Sequence, residues 1–323
     1  MAGKVLFVSQ NPLDRAENMR AVWEAYTGDK EFRVGIDSMA GAEHEGFSVV
    51  VCDTLSKLIE DKDRCKCIAI CHAITGNKHY GMDECGDWVD PEAFAQTDFA
   101  ISASVDSISI VARQLGIPES RVIPTGIPRT DAYVGAVKGD GNTPLANKLA
   151  FLYVPTYRDA NKGGWLPRID FARLDMLLGD DEVFAVKRHY FTHEPLVDGE
   201  YEHIIELDPM EPVGQYLIDC DVLLTDYSSI EFDGYLLGKP AVLTTDDTEE
   251  YLRDRGMYFD YPEFYSSRWI NVEGNEQKML NMMREAAIYG LSETERTCIS
   301  TLAGMCDGHA TKRVCDLIKE AAR

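Results

Sequence analysis

The sequence is poor in positive charge. Its 323 residues include 32 Lys and Arg against 55 Asp and Glu, so the net charge is -23 at pH 7. A protein that binds nucleic acid non-specifically, or that docks on anionic lipid through a broad basic face, needs a cationic surface that this composition does not supply. We therefore predict no nucleic-acid partner and at most peripheral contact with a membrane, and an anionic substrate would need a local cationic pocket.

Long apolar runs are also missing, and we expect no secretion signal. Runs such as residues 49–52 are far shorter than the roughly 20 residues of a membrane-spanning helix. Lys4 leads at once into a strand-like stretch, and no cleavage site follows. The nine cysteines are scattered and odd in number, which is typical of reduced thiols in a cytoplasmic protein.

Strand-like and helix-like patterns alternate along the chain, which is typical of parallel, doubly wound sheets. Residues 136–147 are rich in Gly, Asn and Pro and carry no apolar period, so we interpret them as a linker. We predict an α/β fold of two Rossmann-like domains that face each other across a cleft, residues 1–140 and 147–305. Residues 306–323 are expected to form a C-terminal helix that can pack back on the first domain.

Because open α/β sheets bind ligands beyond the C-terminal ends of their strands, the first candidate site is the strand-to-helix turn at residues 225–229, TDYSS. Free backbone N–H groups and two hydroxyls at a helix start suit a phosphate. Ser228-x-x-Glu231 also has the spacing of a capping box, which needs no ligand. The local pattern leaves both interpretations open and favours the cap.

His72 follows another predicted strand and could act as a general base, since imidazole titrates near neutral pH. A structural, partly buried histidine beside a turn is an equal alternative. A zinc site with Cys65, Cys67 and Cys71 is the weakest interpretation, because the four residues lack the usual paired spacing.

Two further strand ends carry cations. Lys187 and Arg188 precede His189 and form a local positive spot that suits phosphate oxygens, although a solvated basic turn fits equally well. Arg158 could clamp a phosphate or carboxylate, or pair with Asp159 in a surface turn.

These motifs, taken in order, resemble those of the CDP-glycerol glycerophosphotransferase family, the teichoic-acid polymerases and primases. The clearest anchors are GIPRTD at residues 126–131, PTYRD at 155–159 and TDYSS at 225–229 with Asp233. Weaker support comes from RGMYFDY at residues 255–261 and DGHA at 307–310 with Arg313. The resemblance implies a GT-B fold whose second domain holds the donor. It also implies a reaction in which an acceptor hydroxyl attacks the β-phosphorus of a CDP-polyol and CMP leaves.

The resemblance also implies roles for individual residues. His72 would activate the acceptor hydroxyl, and His189 with Lys187 would stabilise the pyrophosphate. The donor and its phosphates would be bound by Thr156, Arg158, Lys187, Asp226, Ser228, Ser229 and Asp233, and the acceptor side would include Thr75, Lys78 and Arg129. No metal and no cofactor is implied besides the donor substrate, CDP-glycerol or another CDP-polyol. The family's first motif usually reads His-Gly-Thr-Pro-Leu-Lys, whereas here Ala73 replaces the Gly and Lys78 comes one residue later.

The predicted function is therefore transfer of a polyol phosphate to a polymer or glycan acceptor, which can be lipid-linked. The product would be a teichoic-acid-like or capsular surface polymer, made in the cytoplasm or at the inner face of the cell membrane. Two alternatives stay open. One is a GT-B glycosyltransferase or sugar-nucleotide epimerase that uses a UDP-sugar, and the other is a non-catalytic nucleotide-binding relative.

Overall fold

The chain forms two compact units, each with its own sheet. The computed structural model describes residues 3–35, 45–53, 63, 65–70, 77–83, 90–158, 168–190, 192 and 194–323. The first unit comprises Met1–Val134 and Ser300–Arg323, and the second comprises Gly135–Ile299. The unit boundaries thus lie at 134/135 and 299/300, a few residues before the predicted ones. Within these described ranges each unit contains one six-stranded sheet, which confirms the predicted class of two parallel α/β domains.

All strand pairs in both sheets are parallel. The first sheet has the order β2-β1-β3-β4-β5-β6 and the second β12-β11-β10-β7-β8-β9. The strands are β1 (Lys4–Ser9), β2 (Lys30–Val34), β3 (Phe47–Cys52), β4 (Lys66–Ala69), β5 (Phe99–Ser102), β6 (Val122–Pro124), β7 (Leu149–Val154), β8 (Glu182–Val186), β9 (Ile204–Glu206), β10 (Val222–Thr225), β11 (Ala241–Thr244) and β12 (Trp269–Ile270). Strands β10 and β11 are buried along their whole length, as expected for a parallel sheet covered on both faces.

Helices pack against the two sheets. They are α1 (Glu17–Ala25), α2 (Pro91–Ala95), α3 (Ile108–Leu115), α4 (Phe171–Asp175), α5 (Gly214–Asp219), α6 (Ile230–Leu236), α7 (Thr248–Asp254), α8 (Glu276–Tyr289), α9 (Glu293–Ala303) and α10 (Ala310–Ala321), with 3-10 helices at Gly81–Asp83, Glu119–Arg121 and Pro128–Tyr133. In α8, Met279, Met283 and Ala286 recur every three or four residues and are buried in one cluster with residues of β10 and β11. Within the described ranges, no helix has the length and apolar character to cross a bilayer.

The order of the second sheet decides which side chains meet. Strands β11, β10, β7 and β8 are neighbours, and being parallel they all end at the same edge. Thr225 at the end of β10 pairs in register with Val154 of β7 and Leu243 of β11. The residues that follow these strands are therefore brought together from positions far apart in sequence.

The segment predicted as a linker is held firmly by the second unit. The carboxylate of Asp219, at the end of α5, accepts hydrogen bonds from the N–H groups of Gly139 at 2.8 Å, Gly141 at 3.1 Å and Thr143 at 2.9 Å. The hydroxyl of Thr143 donates to the same carboxylate at 2.7 Å. Burial alone would raise the pKa of Asp219, but these hydrogen bonds lower it below its ordinary value. The composition of residues 136–147 indicated a connection but not the buried acid that orders it.

The C-terminal helix α10 packs within the first unit, against α1. Its first turn is capped by Asp131, which accepts from the N–H groups of Ala310 at 2.9 Å and Thr311 at 2.8 Å. Gly126 has a φ of 81°, and a Cβ atom there would lie 2.2 Å from the carbonyl oxygen of Met305. Two of the sequence anchors, GIPRTD and DGHA, therefore contact each other.

Candidate functional site

Arg158 follows β7 and lies between two carboxylates. Its Nη2 donates to Asp226 Oδ2 at 2.9 Å, and its Nε donates to Asp247 Oδ2 at 3.0 Å. Its Nη1 donates to the carbonyl of Thr156 at 2.7 Å. The side chains of Arg158 and Asp226 are only 14% and 1% exposed. Burial alone would lower the pKa of Arg158, but the two carboxylates raise it above its ordinary value, so the guanidinium is held in its charged form.

Asp226 joins the ends of two neighbouring strands. Its Oδ1 accepts from the N–H of Thr156 at 2.8 Å, while the hydroxyl of the preceding Thr225 donates to the carbonyl of Val154 at 2.6 Å. The hydroxyl of Thr156 is enclosed and has no hydrogen-bond partner in the described part of the chain. Since buried polar groups are nearly always paired, this hydroxyl is a candidate to meet a bound ligand.

Tyr227 is fixed by Asp247 and by ring stacking. Its hydroxyl donates to Asp247 Oδ1 at 2.8 Å and lies 3.1 Å from the hydroxyl of Thr248. Its ring stacks on that of Tyr251 with centroids 3.7 Å apart, and the guanidinium of Arg158 lies 5.0 Å from both ring centroids. Burial raises the pKa of Tyr227 and the nearby Asp247 adds to the shift, so the phenol stays protonated and donates.

The two serines of the turn are half-buried. Helix α6 starts at Ile230 with Ser229 as its N-cap residue, whose side chain makes no capping hydrogen bond. The Ser228 hydroxyl accepts from the N–H of Ile230 at 3.3 Å, and the N–H of Glu231 points to the Ser228 carbonyl at 3.5 Å. These bonds differ from those of the predicted capping box. Asp233 lies one turn further along α6 and is completely buried, so its side chain is not at the surface of the site.

One of the basic residues after β8 is buried and the next one forms an ion pair. Lys187 is only 5% exposed, and its N–H donates to the carbonyl of Tyr153 at 2.8 Å. Arg188 forms an ion pair with Glu206, Nη1 to Oε1 at 3.3 Å. The half-buried ring of His189 stacks on the ring of Tyr190 with centroids 4.4 Å apart. His189 is thus an oriented imidazole at the same edge of the sheet as Arg158.

The predicted acceptor side belongs to the first unit. His72 and Thr75 lie outside the described residues. Lys78 and Arg129 are both half-buried, and the N–H of Arg129 donates to Asn18 Oδ1 at 3.0 Å. The role predicted for these four residues remains a prediction.

The alternative zinc site is described only in part. Cys65 and Cys67 are buried among apolar residues of the first sheet, and Cys71 and His72 lie outside the described ranges. Among the residues that the structure describes, no group of three His, Cys, Asp or Glu is arranged to hold a metal ion.

Sequence reasoning did not single out Asp247. The side chains that follow β11 were not considered, although the same strand-end rule selects Asp246 and Asp247. The two neighbours face different partners. Asp246 accepts from the N–H groups of Val272 at 3.0 Å and Glu273 at 3.2 Å, whereas Asp247 contacts Arg158 and the turn of β10.

Comparison with known proteins gives consistent matches. A family model described as CDP-Glycerol:Poly(glycerophosphate) glycerophosphotransferase matches residues 40–320. The chain is 24% identical to the teichoic acid poly(ribitol-phosphate) polymerase of Bacillus spizizenii, over 98% of this chain and 56% of that protein. It is 25% identical to the teichoic acid glycerol-phosphate transferase of Staphylococcus aureus, over 68% of this chain and 60% of that protein. The chain therefore spans little more than half the length of these relatives.

Solved structures show the same fold. The wall teichoic acid polymerase TagF aligns with a TM-score of 0.78 and 20% identity, over 99% of this chain and 88% of that one. The UDP-GlcNAc 2-epimerase of Neisseria meningitidis, bound to UDP-GlcNAc, aligns with a TM-score of 0.63 and 14% identity, over 98% of this chain and 100% of that one. At these identities the likeness concerns the fold alone, and it confirms the predicted GT-B type.

Proposed function

Since the chain belongs to the CDP-glycerol:poly(glycerophosphate) glycerophosphotransferase family, we propose that it transfers a polyol phosphate from a CDP-polyol to a hydroxyl of a polymer or glycan acceptor. CMP is the leaving group, and the product is a teichoic-acid-like or capsular polymer. The observation that carries the proposal is the ordered turn of Asp226 to Ser229, which presents two half-buried hydroxyls at a strand end of the second unit.

The proposed reaction is an in-line displacement at phosphorus. The acceptor oxygen forms a bond to the β-phosphorus while the bond from that phosphorus to the oxygen of CMP breaks. The proton of the acceptor hydroxyl passes to a base, for which His72 is the candidate. Phosphoryl transfer depends mainly on positioning and on stabilisation of negative charge. We assign that stabilisation to Lys187 and His189, without a metal.

We assign donor binding to side chains whose hydroxyl groups can still form hydrogen bonds with a ligand. Ser228 and Ser229 carry hydroxyls that are half-buried, and the Thr156 hydroxyl has no partner in the described ranges. Arg158 differs from them, because Nε, Nη1 and Nη2 each have a protein acceptor. This arrangement supports a role for Arg158 in positioning the turn. The sequence had suggested a direct phosphate clamp instead.

The proposed location is the cytoplasm or the inner face of the cell membrane. The net charge of -23 supports at most peripheral membrane contact, because it opposes broad docking on anionic lipid. An acceptor that is itself lipid-linked would bring the reaction to the membrane without such docking.

Isothermal titration of the purified chain with CDP-glycerol, CDP-ribitol and UDP-N-acetylglucosamine tests the proposal. We expect binding of a CDP-polyol, and release of CMP once an acceptor polymer is added. Binding or turnover of the UDP-sugar alone would contradict the proposal and favour the epimerase alternative.

A serine variant tests the donor turn itself. Replacement of Ser228 and Ser229 by Ala should weaken binding of the CDP-polyol about tenfold or more, because hydrogen bonds to a charged phosphate are lost. Thermal stability should change little, since loss of a helix cap costs about 1 kcal/mol. The exposed Ser267 of the same unit serves as a control, and Ser267→Ala should leave binding unchanged. Unchanged affinity of the double variant for the CDP-polyol, whatever its melting temperature, would contradict a role of the two serines in donor binding.

A further inference from the structure

We propose that Asp247 is a positioning residue for the donor, which holds the turn of Asp226 to Ser229 in its binding form through Arg158 and Tyr227. This inference rests on the proposed function. It adds a residue that neither the motifs nor the strand-end candidates of the sequence included.

The contacts of Asp247 reach the turn by two routes. Its Oδ1 accepts from the Tyr227 hydroxyl at 2.8 Å, and Tyr227 directly precedes Ser228. Its two oxygens also accept from Arg158, at 3.0 Å from Nε and 3.2 Å from Nη2. Arg158 continues the connection, because Nη2 donates to Asp226 Oδ2 at 2.9 Å. Asp247 thus fixes two consecutive residues immediately before the serines.

The surroundings make these contacts rigid. Asp247 and Arg158 are each only 14% exposed, so neither side chain has much freedom to exchange its partner for water. The aromatic ring of Tyr227 is buried and stacked on Tyr251. Side chains locked by packing and by second partners are the ones that can hold a site within the narrow tolerance that group transfer requires.

The charges around Arg158 and a positioning role of Asp247 predict opposite changes in donor affinity when the Asp247 charge is removed. Asp226 and Asp247 share the single positive charge of Arg158, so the three groups together carry one negative charge. An anionic donor nearby is repelled by that excess, and removal of the Asp247 charge by itself would improve its binding. A positioning role predicts the reverse, because the variant loses the geometry of the turn.

Asp246 provides a matched control. It is the adjacent residue, carries the same charge and accepts two backbone N–H groups, but those belong to Val272 and Glu273 after β12. Asp246→Asn therefore makes the same chemical change in the same loop without touching Arg158 or Tyr227.

The experiment compares Asp247→Asn, Asp247→Glu, Tyr227→Phe and Asp246→Asn with the wild-type chain. Calorimetry gives Kd for CDP-glycerol, steady-state kinetics give KM and kcat, and thermal unfolding checks that each variant is folded. Asp247→Asn should raise Kd and KM for CDP-glycerol about 10- to 100-fold, with the KM for the acceptor unchanged. Tyr227→Phe, which keeps the ring, should give a smaller increase, and Asp247→Glu should recover part of the affinity.

The outcomes separate the inference from the function on which it rests. Equal affinity for the Asp247→Asn and Asp246→Asn variants, or tighter binding by Asp247→Asn than by wild type, overturns the positioning role alone. If Asp247→Asn does not fold, unchanged affinity of Tyr227→Phe has the same meaning. A wild-type chain that binds no CDP-polyol refutes the proposed function, and the positioning role is refuted with it.

Discussion

The ion pair between Arg158 and Asp226 allows a quantitative prediction. Asp226 is 1% exposed, so replacing Arg158 by Met leaves a buried carboxylate without its cation. Only the N–H of Thr156 remains among the hydrogen bonds described above for this carboxylate. Breaking a buried pair from one side typically costs about 3–5 kcal/mol. For a domain of this size, that loss corresponds to a decrease in melting temperature of about 10 °C.

Differential scanning calorimetry measures this loss, and two further variants show its origin. Adding Asp226→Asn to Arg158→Met should recover part of the stability, because the uncompensated charge is removed. Arg168 pairs with Glu273 at 3.0 Å on the surface of the same unit, with side chains 47% and 66% exposed. Arg168→Met should therefore cost at most about 1 kcal/mol. Equal shifts for Arg158→Met and Arg168→Met, or a further loss in the double variant, would refute the reasoning.

Two further predictions concern contacts that stabilise the fold of each unit. Asp219→Asn should cost about 1–3 kcal/mol near neutral pH. Because the pKa of Asp219 is lowered in the folded state, its contribution is present above the ordinary value of about 3.9 and is lost as the pH falls through the lowered value. Denaturation with urea at several pH values should therefore show the two proteins converging in acid. Gly126→Ala should reduce the melting temperature far more than Gly135→Ala: both glycines have a φ of 81°, but only the first Cβ meets Met305, and equal shifts would contradict the predicted clash.

The fold could be predicted from the sequence because strand and helix patterns are local. The family could be predicted because its motifs follow one another in a fixed order. Alternating buried strands and amphipathic helices indicate parallel sheets without knowledge of strand order. The motifs at residues 126–131, 155–159 and 225–229 are each short, but their succession identified a family that the match over residues 40–320 confirms.

The site could be predicted only as a set of strand ends. Alternation does not specify that β11, β10 and β7 are neighbours, and the contact of Arg158 with Asp226 and Asp247 depends on that order. The sequence therefore suggested that Arg158 binds a phosphate or a carboxylate but did not identify Asp226 and Asp247, the two carboxylates that it contacts in the structure. For a similar reason the sequence left Ser228 open between a helix cap and a phosphate site, since spacing alone does not determine that its hydroxyl meets the N–H group of Ile230.

The position of α10 affects the order in which the chain can fold. The second unit is one continuous stretch, Gly135–Ile299, whereas the first unit takes its last helix from Ala310–Ala321. During synthesis the ribosome must therefore complete the whole second unit before the helices α1 and α10 of the first unit can meet. Domains fold as units as they emerge, so the first unit, whose strands are made before the second unit, is completed after it.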